Sequence, residues 1–324
     1  MSALGVLLIG YESDLHLDRV VLELRRQNVS ICRLDPRTFQ RENLRFDHEI
    51  SSDHVVMSCK GEDLCIDNKT SVFCRFALES LLYPVSGGDD VFIQSEFASH
   101  LLNSLTTISI ERWINHPFQE SFANLKTRQL KIALECGLLV PPSLISQDTE
   151  RLKDFSDKHG SCVIKSLSEE PLELVENGQR SAGFTAELQP ALLKSGAWDK
   201  TSPVFLQKLI RKVADIRVTV VDDTSFAAKI VSAPHSPIDF RNAESTTVEP
   251  FELPQKVERG LVNLVRKLGI RFASCDLGLC ADGALWFFEA NVCGNYLWTE
   301  LEAGLPISRQ IADSLQYPAK PTAS

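Results

Sequence analysis

The sequence predicts an α/β chain with α+β character, divided into more than one domain, and three observations carry that expectation. The N-terminus alternates an apolar strand-like run, an amphipathic helix and a second strand, the pattern of a parallel sheet. Helical and strand-like segments continue to alternate through the middle of the chain. The C-terminal part holds two apolar runs on either side of Ala281-Asp282-Gly283-Ala284, a hairpin signal. At 324 residues the chain has room for two domains, or three small ones.

The elements follow in order. Gly5 to Gly10 reads as a buried strand, and Leu17, Val20, Val21 and Leu24 then lie on one face of a helix that Asn28 stops. Residues 29–35 form a second strand, residues 40–69 hold weak strand signals, and Thr70 to Phe76 is a further strand. A helix is expected from Asp90 to Leu105, with a boundary near Trp113 to Pro117. Asn124 to Cys136 reads as one helix, with Leu125, Leu130, Ala133 and Leu134 as its stripe and Gly137 beyond its end. Pro141-Pro142 forces an extended exit, Thr149 to His159 is a helix stopped by Gly160, and Ser161 to Leu167 is a strand. Glu169 to Gly183 is polar and reads as a loop or hairpin. Val204 opens a third region, with strands at 216–221 and 225–231, a long loop from Pro234 to Pro254, a helix at 255–268 capped by Gly269, and strands at 272–280 and 284–291. The last residues, 318–324, read as a loose tail.

Composition excludes several functions. Hydrophobic residues make up 44% and charged residues 24%, ordinary for a globular protein. No apolar run is long enough to span a bilayer, and Met1 to Gly10 lacks the basic flank and cleavage site of a signal peptide. The nine cysteines form no CxxC pair or Cys/His cluster, which argues against zinc. With no secretion signal, their odd number suggests reduced thiols and a cytoplasmic protein. A net charge of −9 argues against nucleic acid, whose binding rests on phosphate neutralisation. The histidines show no metal spacing, and His116 and His235 lie in Pro-flanked loops.

The most informative feature is a pair of acids in the last hairpin. A type I′ turn centred between Asp282 and Gly283 sets Asp276 opposite Glu289, with Cβ atoms about 5 Å apart. Asn291 then shares their face. Their neighbours Leu277, Leu279, Trp286, Phe287 and Phe288 are apolar, so two opposed acids need a shared cation or proton. Two carboxylates and an amide suit Mg²⁺. The alternative is a solvated strand edge, and a slip of one residue would place the acids on opposite faces.

Cations in apolar settings form the second constellation. Lys165 lies in the strand-like run Cys162-Val-Ile-Lys-Ser-Leu167, and Lys126 opens a helix whose N-terminal dipole disfavours an ammonium unless an anion is also present. Arg217, Lys229 and Arg241 follow. Together with the acids they suggest a mixed-charge cleft suited to Mg-ATP.

In its order of features the chain resembles the ATP-grasp superfamily and, more narrowly, the graspetide synthetases, the microviridin-type peptide macrocyclases. The similarity runs from Leu7 to about Ile311: the N-terminal strand, Val-Phe-Cys-Arg-Phe at 72–76, the Asn-His-Pro loop at 115–117, the lysine helix with its Gly137-to-Pro141 exit, and Val163 to Ser168. It continues through 204–210, 215–230, Asp239-Phe-Arg241 and the closing stretch from Cys275. Two positions depart from the pattern: Phe240 stands where the family usually has Trp, and Val292 where it usually has Pro.

The resemblance implies an ATP-grasp fold, with a Rossmann-like pre-ATP-grasp domain at 1–115, a central lobe at 116–203 and a C-terminal lobe at 204–324, the two lobes sandwiching ATP. It implies that Lys126 and Lys165 hold ATP phosphates, that Gln207, Lys208 and Ile210 line the adenine hinge, and that Asp215 lies near the ribose. Asp276, Glu289 and Asn291 would bind Mg²⁺, and Arg217 and Arg241 would steady the acyl phosphate and substrate carboxylate. The implied enzyme is an ADP- and phosphate-forming carboxylate ligase joining side chains of a ribosomal precursor peptide, whose leader binds the central domain. Relatives of this type often form homodimers. The alternatives are a stand-alone carboxylate–amine ligase and, in another class, a non-catalytic peptide-binding protein that kept the fold.

Overall fold

The computed structural model describes residues 2–36, 38, 44–59, 62–76, 89–167, 172–176, 179–183, 185–188, 203–233 and 245–316. Arg241 and the rest of the Asp239-Phe240-Arg241 motif lie outside the described residues, as do His235 and the C-terminal tail.

The N-terminal part is built on a parallel sheet in the order Ile31–Leu34, Val6–Ile9, Ser71–Cys74, Arg112–Ile114. Leu7, Leu8 and Ile9 are fully enclosed, as expected of a strand covered on both faces. One cover is the helix Leu15–Arg26, which Asp14 caps by accepting from the His16 N–H, and which ends at Gln27 with Asn28 at φ +57°. The other is the helix Asp89–Thr107, whose Leu101, Leu102 and Leu105 pack with Leu7, Ile9 and Val72. The weak signals of 40–69 become three of the four strands of a small sheet, Arg45–Asp47, Val55–Cys59 and Glu62–Ile66, which Ser2–Ala3 completes.

The central part is a four-stranded antiparallel sheet, Thr185–Glu187, Cys162–Lys165, Val204–Lys208, Ser143–Ser146, with the helix Thr149–His159 packed on it through Leu152 and Phe155. Val204–Lys208 therefore belongs to this sheet, although the sequence reading gives it to the last lobe. Its apolar run has partners on both sides, and the chain leaves the sheet at 209–213 rather than at 203. Residues 172–176 and 179–183 pair as a hairpin, one of the two forms expected there.

The C-terminal part is a five-stranded antiparallel sheet in the order Ser245–Pro250, Thr224–Ala233, Ala214–Val221, Phe272–Leu279, Leu285–Asn291. The long loop expected up to Pro254 contains the first of these strands, whose β-branched Thr246, Thr247 and Val248 pair along the sheet edge. The helix Gln255–Lys267 lays Leu261, Leu264 and Val265 on one face, with the helix Lys126–Glu135 in the same core through Leu130, Ile132 and Ala133. The helix expected at 124–136 is present as Lys126–Glu135, and a further helix that the sequence reading does not assign, Pro117–Ala123, precedes it.

Two short helices end the described chain, Leu297–Ala303 and Ile307–Gln316, for which the sequence reading assigns nothing. The last buries Ile311, Ala312 and Leu315 against Leu8, Leu17, Val20 and Leu24, so the end of the described chain folds back into the N-terminal core. Buried Asn115 adds a polar tie. Its amide donates to the carbonyls of Phe272 and Val292, each at 2.9 Å, and its oxygen accepts from the N–H groups of Arg271 and Phe272. All four hydrogen-bonding positions of the side chain are used.

Asp14 also receives Arg75 Nε at 2.7 Å, in a pair whose side chains are 11% and 5% exposed. Burial pushes the Asp14 carboxyl up, but the bond from His16 and the Arg75 guanidinium outweigh it and hold the group well below the usual carboxylate range. The folded value lies below the unfolded one, so this stabilisation is complete above 3.8, the ordinary value, and is lost as pH falls towards the folded value. Asp14→Asn, which keeps the helix cap, is expected to cost about 3 kcal/mol at neutral pH. It should also flatten the loss of stability in acid, read by urea denaturation at a series of pH values. Unchanged acid sensitivity would contradict the pairing.

Candidate active site

The last hairpin sets Asp276 directly opposite Glu289, as the sequence predicts, but by a different route. The turn is not the two-residue type I′. It is a three-residue loop, closed by Gly283 N–H to Cys280 O at 3.0 Å and Cys280 N–H to Ala284 O at 2.9 Å, with Gly283 at φ +83°. The pairs beside it are Leu279 with Leu285, Gly278 with Trp286, and Leu277 with Phe287. Continued unchanged, that register would oppose Asp276 to Phe288 and send Glu289 to the other face. A β-bulge between Asp276 and Leu277 intervenes, with Phe288 as the extra residue, and the pairs become Asp276 with Glu289, Cys275 with Ala290, and Ser274 with Asn291. Turn and bulge offset each other by one residue.

The acids are half-buried and their charge is balanced by protein groups. Arg217, opposite Asp276 on the next strand, donates through Nη1 to both carboxylate oxygens at 2.7 and 2.9 Å, and through Nη2 to the Asn295 carbonyl at 3.2 Å. Asn291 Nδ2 donates to Asp276 Oδ2 at 2.8 Å. With its nitrogen committed, Asn291 has its Oδ1 left as the acceptor atom of the group. Among the described residues no three His, Cys, Asp or Glu side chains gather as a metal site. The oxygen set here is two carboxylates and one carboxamide, all hard donors of the kind Mg²⁺ takes, so the residues present fit that ion.

The lysines come from outside that sheet. Lys165 ends its strand, and burial pushes its ammonium below the ordinary lysine range; Glu289 opposes that shift, Lys126 adds to it, Asp276 opposes it and Lys212 adds to it. The structure thus gathers three lysines and the two acids in one electrostatic neighbourhood. Lys126 Nζ donates to the Ser166 carbonyl at 2.6 Å, bridging its helix to the central sheet next to Lys165. Lys165 Nζ and Lys212 Nζ each lie 5.9 Å from the centroid of the Phe288 ring. That ring lies over Gly278, where a Cβ would come within 2.8 Å of two ring carbons. The bulged residue thus occupies the space that a side chain at Gly278 would take.

Gln207, Lys208 and Ile210 lie at the passage from the central sheet to the five-stranded sheet. Gln207 is buried and donates to Ser143 Oγ at 3.0 Å, the Lys208 N–H donates to the Pro142 carbonyl at 2.9 Å, and Ile210 is buried. Asp215 shares the face of Arg217 and is paired with Lys212. Two cations correct the sequence reading. Lys229 opposes Ile216, not Arg217, so it is on the other face of the sheet, where it meets Glu249 at 2.9 Å. Lys212, buried, paired with Asp215 and close enough to Lys165 to oppose its charge, was missed; its signal is the basic run Arg211-Lys212 just before the strand that carries Asp215 and Arg217. Arg75, from the N-terminal sheet, joins from a third side, with Nη2 at 3.4 Å from Asn295 Oδ1.

No family model matches the chain. No curated protein matches it either. Solved structures do. The macrocyclase MdnC from Microcystis aeruginosa MRC, bound with precursor peptide MdnA, aligns with a TM-score of 0.78 at 22% identity over 96% of this chain and 98% of that one. A Chryseobacterium gregarium RiPP-associated ATP-grasp ligase, in complex with ADP and a leader and core peptide, aligns at 0.80 and 21% identity over 97% and 96%. The ATP-grasp ligase PsnB, complexed with a minimal precursor, aligns at 0.77 and 23% identity over 96% and 98%. The chain has the ATP-grasp fold. Its similarity extends over nearly the full length of structures whose ligands are precursor peptides.

Arg217 can be tested without any ligand. Arg217→Met leaves Asp276 without its counter-charge beside Glu289 and is expected to cost about 2 kcal/mol. Adding Asp276→Asn should recover more than half of that loss in a double-mutant cycle by denaturation. Strictly additive losses would contradict the pairing.

Proposed function

We propose that this chain is an ATP-dependent carboxylate ligase that works through an acyl phosphate, and that its substrate is a ribosomal precursor peptide whose side chains it joins into ester or amide rings. One observation carries the reading: the Asp276, Glu289 and Asn291 oxygens and the Lys126 and Lys165 ammonium groups converge from separate units on this fold. A ligase that moves a phosphoryl group needs that combination of hard oxygen donors and fixed cations, whereas a protein that only binds peptides has no use for opposed half-buried acids. The choice of nucleotide and ion is supported by neighbours of the same fold: the C. gregarium ligase holds ADP with leader and core peptide, and PsnB was captured with Mg and ADP.

In this reading Asp276, Glu289 and Asn291 hold Mg²⁺, which neutralises phosphate charge when bound. Lys126 and Lys165 bind phosphate oxygens. Burial disfavours the isolated Lys165 ammonium, and an anionic phosphate beside it would offset that cost. Gln207, Lys208 and Ile210 border the base, partly through backbone groups, and Asp215 with its partner Lys212 lies towards the ribose. Arg217 steadies Asp276 and, with Arg241, orients the substrate carboxylate for attack on the γ-phosphate. A substrate hydroxyl or amine then displaces phosphate from the acyl carbon, so ADP and phosphate leave and one water is lost per ring. Positioning and charge do the work, and no protein nucleophile takes part.

The test is incubation of the chain with Mg-ATP and candidate precursor peptides, encoded by short open reading frames beside its own, followed by mass spectrometry and ADP measurement. The expected product is a peptide lighter by one water per ring, with ADP formed in step. Glu289→Gln should abolish both while the circular dichroism spectrum stays unchanged. A fully active Glu289→Gln protein would remove the metal assignment, and ring-free ADP formation with free amino acids would redirect the substrate.

A further inference from the structure

We infer that Gln129 is a positioning residue: its buried carboxamide fixes the strand segment that presents Glu289 and Asn291, and so sets the affinity of the site for Mg²⁺. The inference deepens the ligase reading above and rests on it.

Leu285–Asn291 is the outer strand of its sheet. Half of the peptide groups of such a strand face away from the ladder and must find partners elsewhere. Three such partners are present. Phe287 N–H donates to the Leu139 carbonyl at 2.8 Å, and Asn115 donates to the Val292 carbonyl at 2.9 Å. Between them, Gln129 treats Ala290 as a neighbouring strand would: its Oε1 accepts from Ala290 N–H at 2.9 Å and its Nε2 donates to Ala290 C=O at 2.7 Å. The second amide hydrogen goes to the Ala123 carbonyl at 2.9 Å. Gln129 is 1% exposed, so these bonds have no competition from water.

Position gives this clamp its meaning. Ala290 separates Glu289 from Asn291, and both of those point to the opposite face from Ala290. The bulge lies immediately before them, where the ladder alone does not dictate the register. If the strand slipped back by one residue, Glu289 would leave the face of Asp276, and the Ala290 peptide groups would turn away from Gln129. The two bonds to Ala290 therefore exist only in the register that joins the acids. Gln129 also lies three residues from Lys126 on the same helix, so one rigid element carries a phosphate lysine and holds the candidate metal ligands.

The experiment measures ADP binding to the full chain by calorimetry across a Mg²⁺ titration, for wild type and for Gln129→Met, which keeps length and loses all three side-chain bonds. Wild type should bind ADP more tightly as Mg²⁺ rises. The variant should need about tenfold or more Mg²⁺ for half of that effect, with metal-free ADP affinity unchanged. A folded variant with wild-type Mg²⁺ dependence overturns the inference and leaves the ligase reading standing. A wild-type protein with no Mg²⁺-dependent ADP binding removes the ligase reading itself, and the inference with it. Hydrogen exchange of the wild-type protein tests the clamp even if the variant does not fold: the Ala290 amide should be as protected as the inner ladder amides, and exchange at the rate of an exposed loop overturns it.

Discussion

The arrangement of the site depends on one backbone irregularity, the bulge at Phe288. Two acids can face each other across a hairpin only if the turn and the ladder agree on the pairing, and here they do not. The three-residue turn sets one register and the bulge sets the next, one residue away. Everything at the acid end of the site follows from that shift: Glu289 meets Asp276, Asn291 reaches Asp276 at 2.8 Å, and the extra residue projects its ring over Gly278, its centroid 5.9 Å from each of two lysine ammonium groups.

Holding two acids together in a half-buried place has an electrostatic cost, and the neighbouring strands offset it. Arg217 takes both oxygens of Asp276, and Lys165 faces Glu289 from the central sheet. Arg217 is therefore first a counter-ion, with Nη2 on the Asn295 carbonyl. The cations are drawn from all three units: Arg75 from the parallel sheet, Lys165 from the central sheet, Lys212 and Arg217 from the C-terminal sheet and the passage into it, with Lys126 on the helix that joins them. A site assembled this way responds to small changes in how the units pack, which suits a reaction governed by positioning.

Much of this was legible in the sequence because the signals were local. Periodicity gave the helices at 126–135, 149–159 and 255–267 within a residue or two, and Gly137, Gly160 and Gly269 marked their ends through positive φ. The opposition of Asp276 and Glu289 was also foreseen, but through compensating irregularities: the expected type I′ turn is absent, and no residue pattern announces a bulge at Phe288. Lys229 was misassigned because a strand tells which residues share a face, not which strand stands beside it. Lys212 and Gln129 went unread for a related reason. Gln129's partner Ala290 lies far along the chain, and although Lys212 pairs with nearby Asp215, only the packed structure brings it to Lys165 and Phe288. Residues 204–208 and 307–316 show the same limit, since apolar patterns predict burial without saying in which core.

The central claim is that a divalent ion sits between the two opposed acids and the nucleotide phosphates. Its most direct test is a crystal structure of the chain grown with Mn²⁺ and ADP, with the ion located by its anomalous scattering. The account predicts a peak within bonding distance of oxygens from Asp276, Glu289 and Asn291, shared with a phosphate oxygen of ADP. A peak elsewhere, or ADP bound with its phosphates away from those side chains, would contradict it.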